Sequence, residues 1–275
     1  MQRKLGIIAG LGQMPSLMAA EAHRQGYEVY TAALEGLVEP EAARAYSDHV
    51  ASFGVGKLGG LITHFKEHGV SEAVFGGKVP KTVIFGKGFM PDWRAVKFLF
   101  RLSDYRDDTM MDAISREFEG EGIKLLDMRE FCRALLTVEG AITRQGLSKR
   151  EQQDVEFGYK MAKAVGRLDI GQTIVVKERA VMAVEAAEGT DEAIRRGGRL
   201  AEGGAVVVKV SRPNQDMRFD IPTVGLATLD AMKDSACRVL AVEAGKSILL
   251  DREEFIRRAE DAGISVIGYA STEEN

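Results

Sequence analysis

The chain has few of the residues from which soft-metal, disulfide or redox sites are built. It holds two cysteines, Cys132 and Cys237, and four histidines, His23, His49, His64 and His68, in 275 residues. Neither cysteine has a partner at a C-x-x-C spacing, so both read as reduced, buried thiols of a reducing compartment rather than as a disulfide pair or a zinc site. All four histidines lie in the first half. His64 and His68 form an i,i+4 pair, but no glutamate follows His64 as H-E-x-x-H zinc chemistry requires. No uncharged apolar run approaches the ~20 residues of a membrane span. The start of the sequence shows neither the basic region nor the apolar stretch of a secretory signal, so the expected location is the cytoplasm. A net charge of −4 gives no electrostatic footprint for nucleic acid.

What is present is an ordinary globular composition, with 45% hydrophobic and 28% charged residues, and length for one large or two medium domains. A chain of this size buries about 75% of the surface it would expose unfolded, so it needs no covalent staple. The apolar run 4–9, the turn Gly10-Leu11-Gly12, a helical stretch from Met14 to Gln25 and a strand from Glu28 to Leu34 make a βαβ start and imply a parallel sheet. The alternation continues to about Arg133. Residues 134–148 lose periodicity and read as a linker. From 149 to 275 the rhythm becomes strand-rich: 173–177 and 180–184 as a hairpin about Glu178-Arg179, then 205–210, 216–220, 238–243, 247–250 and 264–268. Helices fit 191–196, 226–235 and 251–262. The expected fold is α/β, with a Rossmann-like parallel-sheet domain over 1–133 and a mixed α/β domain over 149–275.

Four constellations can carry chemistry. Gly10 and Gly12 stand between a strand and a helix, where backbone N–H groups can meet a phosphate. Pro15 stands where a dinucleotide fingerprint has its third glycine, although Glu35 sits near the place of a ribose-binding acid. The alternative is a tight turn that needs glycine for its backbone angles alone. Gly76-Gly77-Lys78, with Lys81 beyond, follows another strand and suits a diphosphate; solvated loop lysines are the plain alternative. In the second half, Glu185, Asp191 and Asp220 fall on loops and strand ends, Asp220 being held extended by the following Ile221-Pro222. Carboxylates without histidine or thiolate are oxygen donors for Mg²⁺ or Mn²⁺ rather than Zn²⁺, while helix capping and solvated charge are the ordinary alternatives for each acid. Lys209 and Arg212 are candidates for stabilising phosphoryl charge, and Gln172, Thr190 and Thr223 for binding substrate. Lastly, Phe89, Met90, Trp93, Phe98 and Phe100, interleaved with Arg94, Lys97 and Arg101, can suit acyl chains or a membrane surface, although an ordinary buried helix face is the first reading of that pattern.

These motifs together resemble the UDP-2,3-diacylglucosamine pyrophosphatase family of lipid A synthesis, the type unrelated to calcineurin-like metallophosphoesterases. The resemblance rests on K-L-G-I-I-A-G with Gly12 and Pro15, the pair Asp107-Asp108, G-R-L-D-I-G-Q at 166–172, V-E-A-A-E-G-T-D-E at 184–192, F-D-I-P-T-V-G at 219–225, V-E-A-G-K at 242–246 and D-R-E at 251–253. It implies two α/β domains that share a lipid-linked UDP-sugar, and metal-dependent hydrolysis to UMP and 2,3-diacylglucosamine 1-phosphate. It also places the family's essential aspartate at Asp220. Peripheral contact with the inner membrane surface and a homodimer are compatible with it. A non-catalytic nucleotide-sugar binding protein, or an NAD-linked oxidoreductase built on the βαβ start, are the competing functions.

Overall fold

The structure, a computed structural model, describes residues 2–80, 83, 89–102, 107–213 and 215–271, with backbone alone for Asp107 and Asp108. Lys81, Gly88 and the side chains of the Asp107-Asp108 pair therefore lie outside the described residues. The chain divides into two compact units, one of residues 1–133 with Asp216–Asp220, the other of 134–215 with 221–275.

In the first unit, β1 (Arg3–Ala9), β2 (Tyr27–Leu34), β3 (His49–Phe53), β4 (Glu72–Gly76) and β5 (Lys124–Leu125) form an all-parallel sheet in the order β3-β2-β1-β4-β5. From Leu5 onward β1 is buried at every residue, as a strand covered on both faces must be. The connecting helices are α1 (Met14–Arg24), α2 (Pro40–Arg44), α3 (Leu58–Glu67), α4 (Trp93–Arg101) and α5 (Asp107–Glu119). The sequence pattern misses β3 and α2, because His49-Val-Ala-Ser-Phe53 is half-exposed at the sheet edge and lacks an apolar run.

The second unit is the mixed sheet expected. Its six strands run β6 (Gly140–Ala141), β13 (Ser265–Tyr269), β11 (Val239–Glu243), β9 (Val206–Lys209), β7 (Thr173–Lys177), β8 (Ala180–Val184). Alternate residues of β9 and β11 feed two cores, as the period of a strand dictates. Val206, Val208, Val239 and Ala241 meet Val155, Tyr159 and Ala162 of α6 (Lys149–Arg167). Val207, Leu240 and Val242 meet Ile194 of α7 (Thr190–Leu200), Leu229 and Met232 of α8 (Leu226–Asp234) and Phe255 of α9 (Arg252–Asp261). β10 (Thr223–Val224) and β12 (Ile248–Leu249) pair separately.

The expected hairpin is present: β7 and β8 pair antiparallel about Glu178 and Arg179, which have φ of 51° and 59°. Left-handed backbone is costly in residues other than glycine. Here the buried Asp154 carboxylate offsets that cost, accepting from Glu178 N at 2.9 Å and Arg179 N at 2.6 Å.

Two expectations change. Residues 134–148, read as a linker, are built into the second unit: Ala141 pairs with Ile267 in the sheet, and Leu136 bridges to Ile248. Residues 216–220 are turns, not a strand. The Asp216 carboxylate accepts from Arg218 N, and its carbonyl accepts from Phe219 N and Asp220 N. This local closure competes with extended pairing in the way short aspartate side chains do.

Candidate functional site

The second sheet collects its polar residues at one edge. β9, β11 and β13 are mutually parallel, so Lys209, Glu243 and Tyr269 end together. β7 runs the opposite way and brings its first residue, Thr173, opposite Lys209. Glu185 follows β8 and donates its N–H to Thr173 O at 2.9 Å. Carboxyl ends of parallel strands are the usual ligand edge of open α/β sheets.

Around Lys209 a cavity of about 470 Å³ opens, lined among others by Glu188, Thr190, Asp191, Glu192, Thr223 and Thr228. The buried Lys209 ammonium donates to Thr190 Oγ1 at 3.0 Å and to Thr223 O at 2.9 Å. Thr190 in turn donates to Glu185 Oε1 at 2.8 Å, and Gln172 N reaches Glu185 Oε2 at 3.4 Å. Gly189, with φ of 83°, makes the sharp entry into α7 that presents Thr190 and Asp191. Asp191 accepts from Thr228 Oγ1 at 3.1 Å. Of the residues expected from sequence, Lys209, Thr190, Asp191 and Thr223 thus line one cavity, with Glu185 engaged directly behind Thr190. Arg212 is engaged elsewhere, by an ion pair with Asp169 of the G-R-L-D motif. The Gln172 Oε1 atom is buried without a partner among the described residues. Sequence reasoning did not name Thr228 or Arg195, both of which also line the cavity; the i,i+4 spacing of Asp191 and Arg195 on one helix face was the available signal for the latter.

Among the described residues no group of three or more histidine, cysteine, aspartate or glutamate side chains is placed to hold a metal ion. Of the three carboxylates expected from sequence to hold a metal, Glu185 and Asp191 belong to the second unit and Asp220 to the first. The cavity itself offers only oxygen and nitrogen donors, with Glu188, Asp191 and Glu192 supplying carboxylates. That set fits a hard cation held by one or two carboxylates and by phosphate oxygens, the usual mode of Mg²⁺.

A second cluster, carried by V-E-A-G-K, lies at the end of β11. The buried Glu243 carboxylate accepts from Lys163 Nζ at 2.7 Å, Ser211 N and Oγ at 2.8 Å, Tyr159 OH at 3.1 Å and Lys246 Nζ at 3.1 Å. Burial alone would raise this carboxyl, but the bonds from Lys163 and Ser211 outweigh it and hold it below the usual carboxylate range. A depressed acid stabilises the fold fully above its unfolded pKa, and that contribution disappears as pH falls through the folded value. Glu243→Gln keeps the shape and loses the charge. It is expected to cost about 2 kcal/mol at neutral pH and to flatten the acid limb of the stability curve below about pH 4.3. Melting temperatures from pH 3 to 7 check this; an unchanged acid limb would remove Glu243 from the balance.

In the first unit, the two glycine turns interlock. Gly10 N donates to Gly76 O at 2.8 Å, Leu11 N to Lys78 O and Lys78 N to Leu11 O, both at 2.9 Å. A Cβ on Gly10 would lie 2.7 Å from Lys78 O, and one on Gly77, at φ 85°, 2.5 Å from Leu11 O. Close approach of the two loops thus explains Gly10 and Gly77, and their amides partly serve each other. Gly12, at φ 101° and exposed, and the exposed Lys78 remain as the outward part of this edge. Asp220 is exposed and belongs to this unit.

Residues 4–135 match the family described as LpxI N-terminal domain, and residues 138–267 match LpxI C-terminal domain. The chain is 31% identical over 277 residues, 97% of both sequences, to the UDP-2,3-diacylglucosamine pyrophosphatase LpxI of Caulobacter vibrioides. The chain belongs to the LpxI family. Among solved structures, this LpxI-family chain is similar to CobK precorrin-6A reductase, at 13% identity and a TM-score of 0.31, covering 100% of this chain and 90% of that one. It is also similar to phosphoribosylglycinamide synthetase from Anaerococcus prevotii, at 11% identity and a TM-score of 0.24, covering 70% of this chain and 34% of that one. Neither likeness bears on what this LpxI-family chain does.

Proposed function

We propose that this protein hydrolyses the pyrophosphate bond of UDP-2,3-diacylglucosamine to UMP and 2,3-diacylglucosamine 1-phosphate, with Mg²⁺ or Mn²⁺. The observation that carries this reading is the end-to-end match to the Caulobacter vibrioides enzyme, over 97% of both chains. The Lys209 cavity supports it independently. Hydrolysis of a diphosphate needs its oxygens neutralised and a water aligned for in-line attack. A lysine held by Thr190 and Thr223 offers a fixed positive charge, and fixed donors stabilise developing charge without reorganising. Thr190 passes the polarisation to Glu185, which keeps the hydroxyl in the donor role toward the carboxylate and its lone pairs toward Lys209. Asp191, with Glu188 beside it, would take the cation, which would supply further positive charge to the phosphoryl oxygens. Asp220, on its exposed turn, is the carboxylate assigned to orient the attacking water. Gly12 and Lys78 are assigned to substrate binding.

The acyl chains need apolar surface, and Met90, Trp93 and Phe100 are 69%, 71% and 87% exposed, with Lys97 above the Trp93 ring. Phe98 is buried and belongs to the core instead. Among the described residues no helix is long and apolar enough to cross a membrane, so on this reading the chains are met at a surface, peripherally at the inner membrane. Each buried CH₂ contributes about 0.8 kcal/mol, so this contact would weigh heavily in affinity.

The test is product analysis. Incubation with the diacylated UDP-sugar should release UMP and the sugar 1-phosphate, EDTA should stop it, and Mg²⁺ or Mn²⁺ should restore it. Binding without UMP release at any cation concentration would leave only a nucleotide-sugar binding protein.

A further inference from the structure

The five residues Asp216–Asp220 belong to the first unit, although Gln215 before them and Ile221 after them belong to the second. Something must hold so short a segment in place, and two side chains do. The Phe219 ring packs edge-on against Phe75, with centroids 5.3 Å apart, in the core cluster that includes Phe118. Arg218 is held by both Asp216 carboxylate oxygens, from Nε at 3.0 and 2.9 Å, and its guanidinium reaches Asp112 at 3.6 Å and Glu119 at 3.7 Å on α5. That guanidinium also lies 5.1 Å from the Phe219 ring centroid. Asp220 N donates to Asp216 O at 3.3 Å, so the backbone of Asp220 is tied into the same turn while its side chain stays exposed.

Phe75 is the penultimate residue of β4, directly before the Gly76-Gly77 turn. The anchored turn therefore sets Asp220 near the carboxyl end of β4, the ligand edge of a parallel sheet. We infer that Phe219, with Arg218 beside it, is a positioning residue for Asp220: its ring, seated on Phe75, fixes where that carboxylate stands. The inference rests on the catalytic assignment of Asp220 made above. An ordinary core role for Phe219 would couple it to stability and not to Asp220. Phe219 is partly buried on Phe75 and directly adjacent in sequence to Asp220, so loss of its ring frees the backbone that carries the carboxylate.

The experiment is a double-mutant cycle on the full chain, with kcat, KM and melting temperature measured for Phe219→Ala, Phe219→Leu, Asp220→Asn and the double variant Phe219→Ala/Asp220→Asn. A carboxylate displaced by about 1 Å can cost up to ~10²-fold in rate. Phe219→Ala is therefore expected to lower kcat at least about tenfold with KM within about twofold, Phe219→Leu to recover part of it, and the double variant to be no slower than Asp220→Asn alone, because a positioning residue has nothing left to position. Additive losses in the double variant, or wild-type kcat in Phe219→Ala beside an inactive Asp220→Asn, would overturn the inference and leave the assignment of Asp220 standing. Should Phe219→Ala not fold, Phe219→Leu with wild-type kcat overturns it equally. An active Asp220→Asn would remove the assignment of Asp220 and this inference with it.

Discussion

Asp220→Asn is expected to lower kcat by about 10²–10³-fold, the loss typical when one group that acts in the transition state is removed. Melting temperature and substrate binding should hardly change. The separation of these effects follows from where the residue stands. Asp220 is exposed, and exchange of an exposed side chain for its isostere usually changes stability by no more than about 0.5 kcal/mol. The turn that carries it is closed by Asp216, Arg218 and Phe219, none of which the substitution touches. What asparagine lacks is negative charge and basicity, the two properties that orienting and deprotonating a water require. Single-turnover release of UMP, beside a binding isotherm for the unhydrolysed substrate, reads the two effects apart. A variant that retains a third of wild-type activity would remove Asp220 from the chemistry.

By its sequence pattern Asp220 reads as part of the second unit, whereas it belongs to the first. M-R-F-D-I-P has the look of a strand ending before proline, and the restriction on the residue before proline holds at Asp220-Ile221-Pro222 in either reading. The error lies upstream. Asp216 closes a local turn on Arg218 and Phe219, and that preference is settled by partners far away in the chain: Asp112 and Glu119 for Arg218, Phe75 for Phe219. No periodicity within a short window carries such information. Elements whose stability is local or patterned were legible: the βαβ start, the Glu178-Arg179 hairpin, the helix that opens at Thr190, and the strand that ends at Lys209. So was half of the Lys209 cavity, because Thr190, Asp191 and Thr223 stand where strands and helices begin or end. The Glu243 cluster was visible only as the string V-E-A-G-K. Its meaning comes from Lys163 in the middle of a long helix, where a lysine at an inward position reads, one residue at a time, as an ordinary break in the apolar face. The glycines were legible as special, with a phosphate contact and a plain turn both open; the structure adds that Gly10 and Gly77 are required by the close approach of two loops to each other.

The second large effect is expected at Lys209. Lys209→Met, which keeps the unbranched stem and removes the ammonium, should lower kcat by about 10²–10³-fold, comparable to the loss of a preorganised donor in other acyl or phosphoryl sites. Unlike Asp220, it should also cost stability. Lys209 is buried, and its ammonium satisfies Thr190 Oγ1 and the Thr223 carbonyl; leaving a buried acceptor without a donor costs roughly 1–3 kcal/mol. For a domain of the second unit's size this corresponds to a fall of melting temperature of several degrees, at about 2–4 °C per kcal/mol. Lys209→Arg provides the control that separates charge from fit. Its guanidinium restores the positive charge but is planar and larger, and it cannot reproduce the contacts of a compact ammonium wedged between a helix start and a strand. If charge alone mattered, arginine would recover most of the rate. If the position of the charge matters, as the hydrogen bonds to Thr190 and Thr223 imply, arginine should recover less than a tenth of it. Thr190→Val adds the last discrimination: it removes the hydroxyl that links Lys209 to Glu185 and keeps the shape, so it should slow turnover by a smaller factor while leaving the ammonium in place. A Lys209→Met enzyme within threefold of wild-type kcat, stable or not, would show that the cavity it lines is not where phosphoryl charge is neutralised.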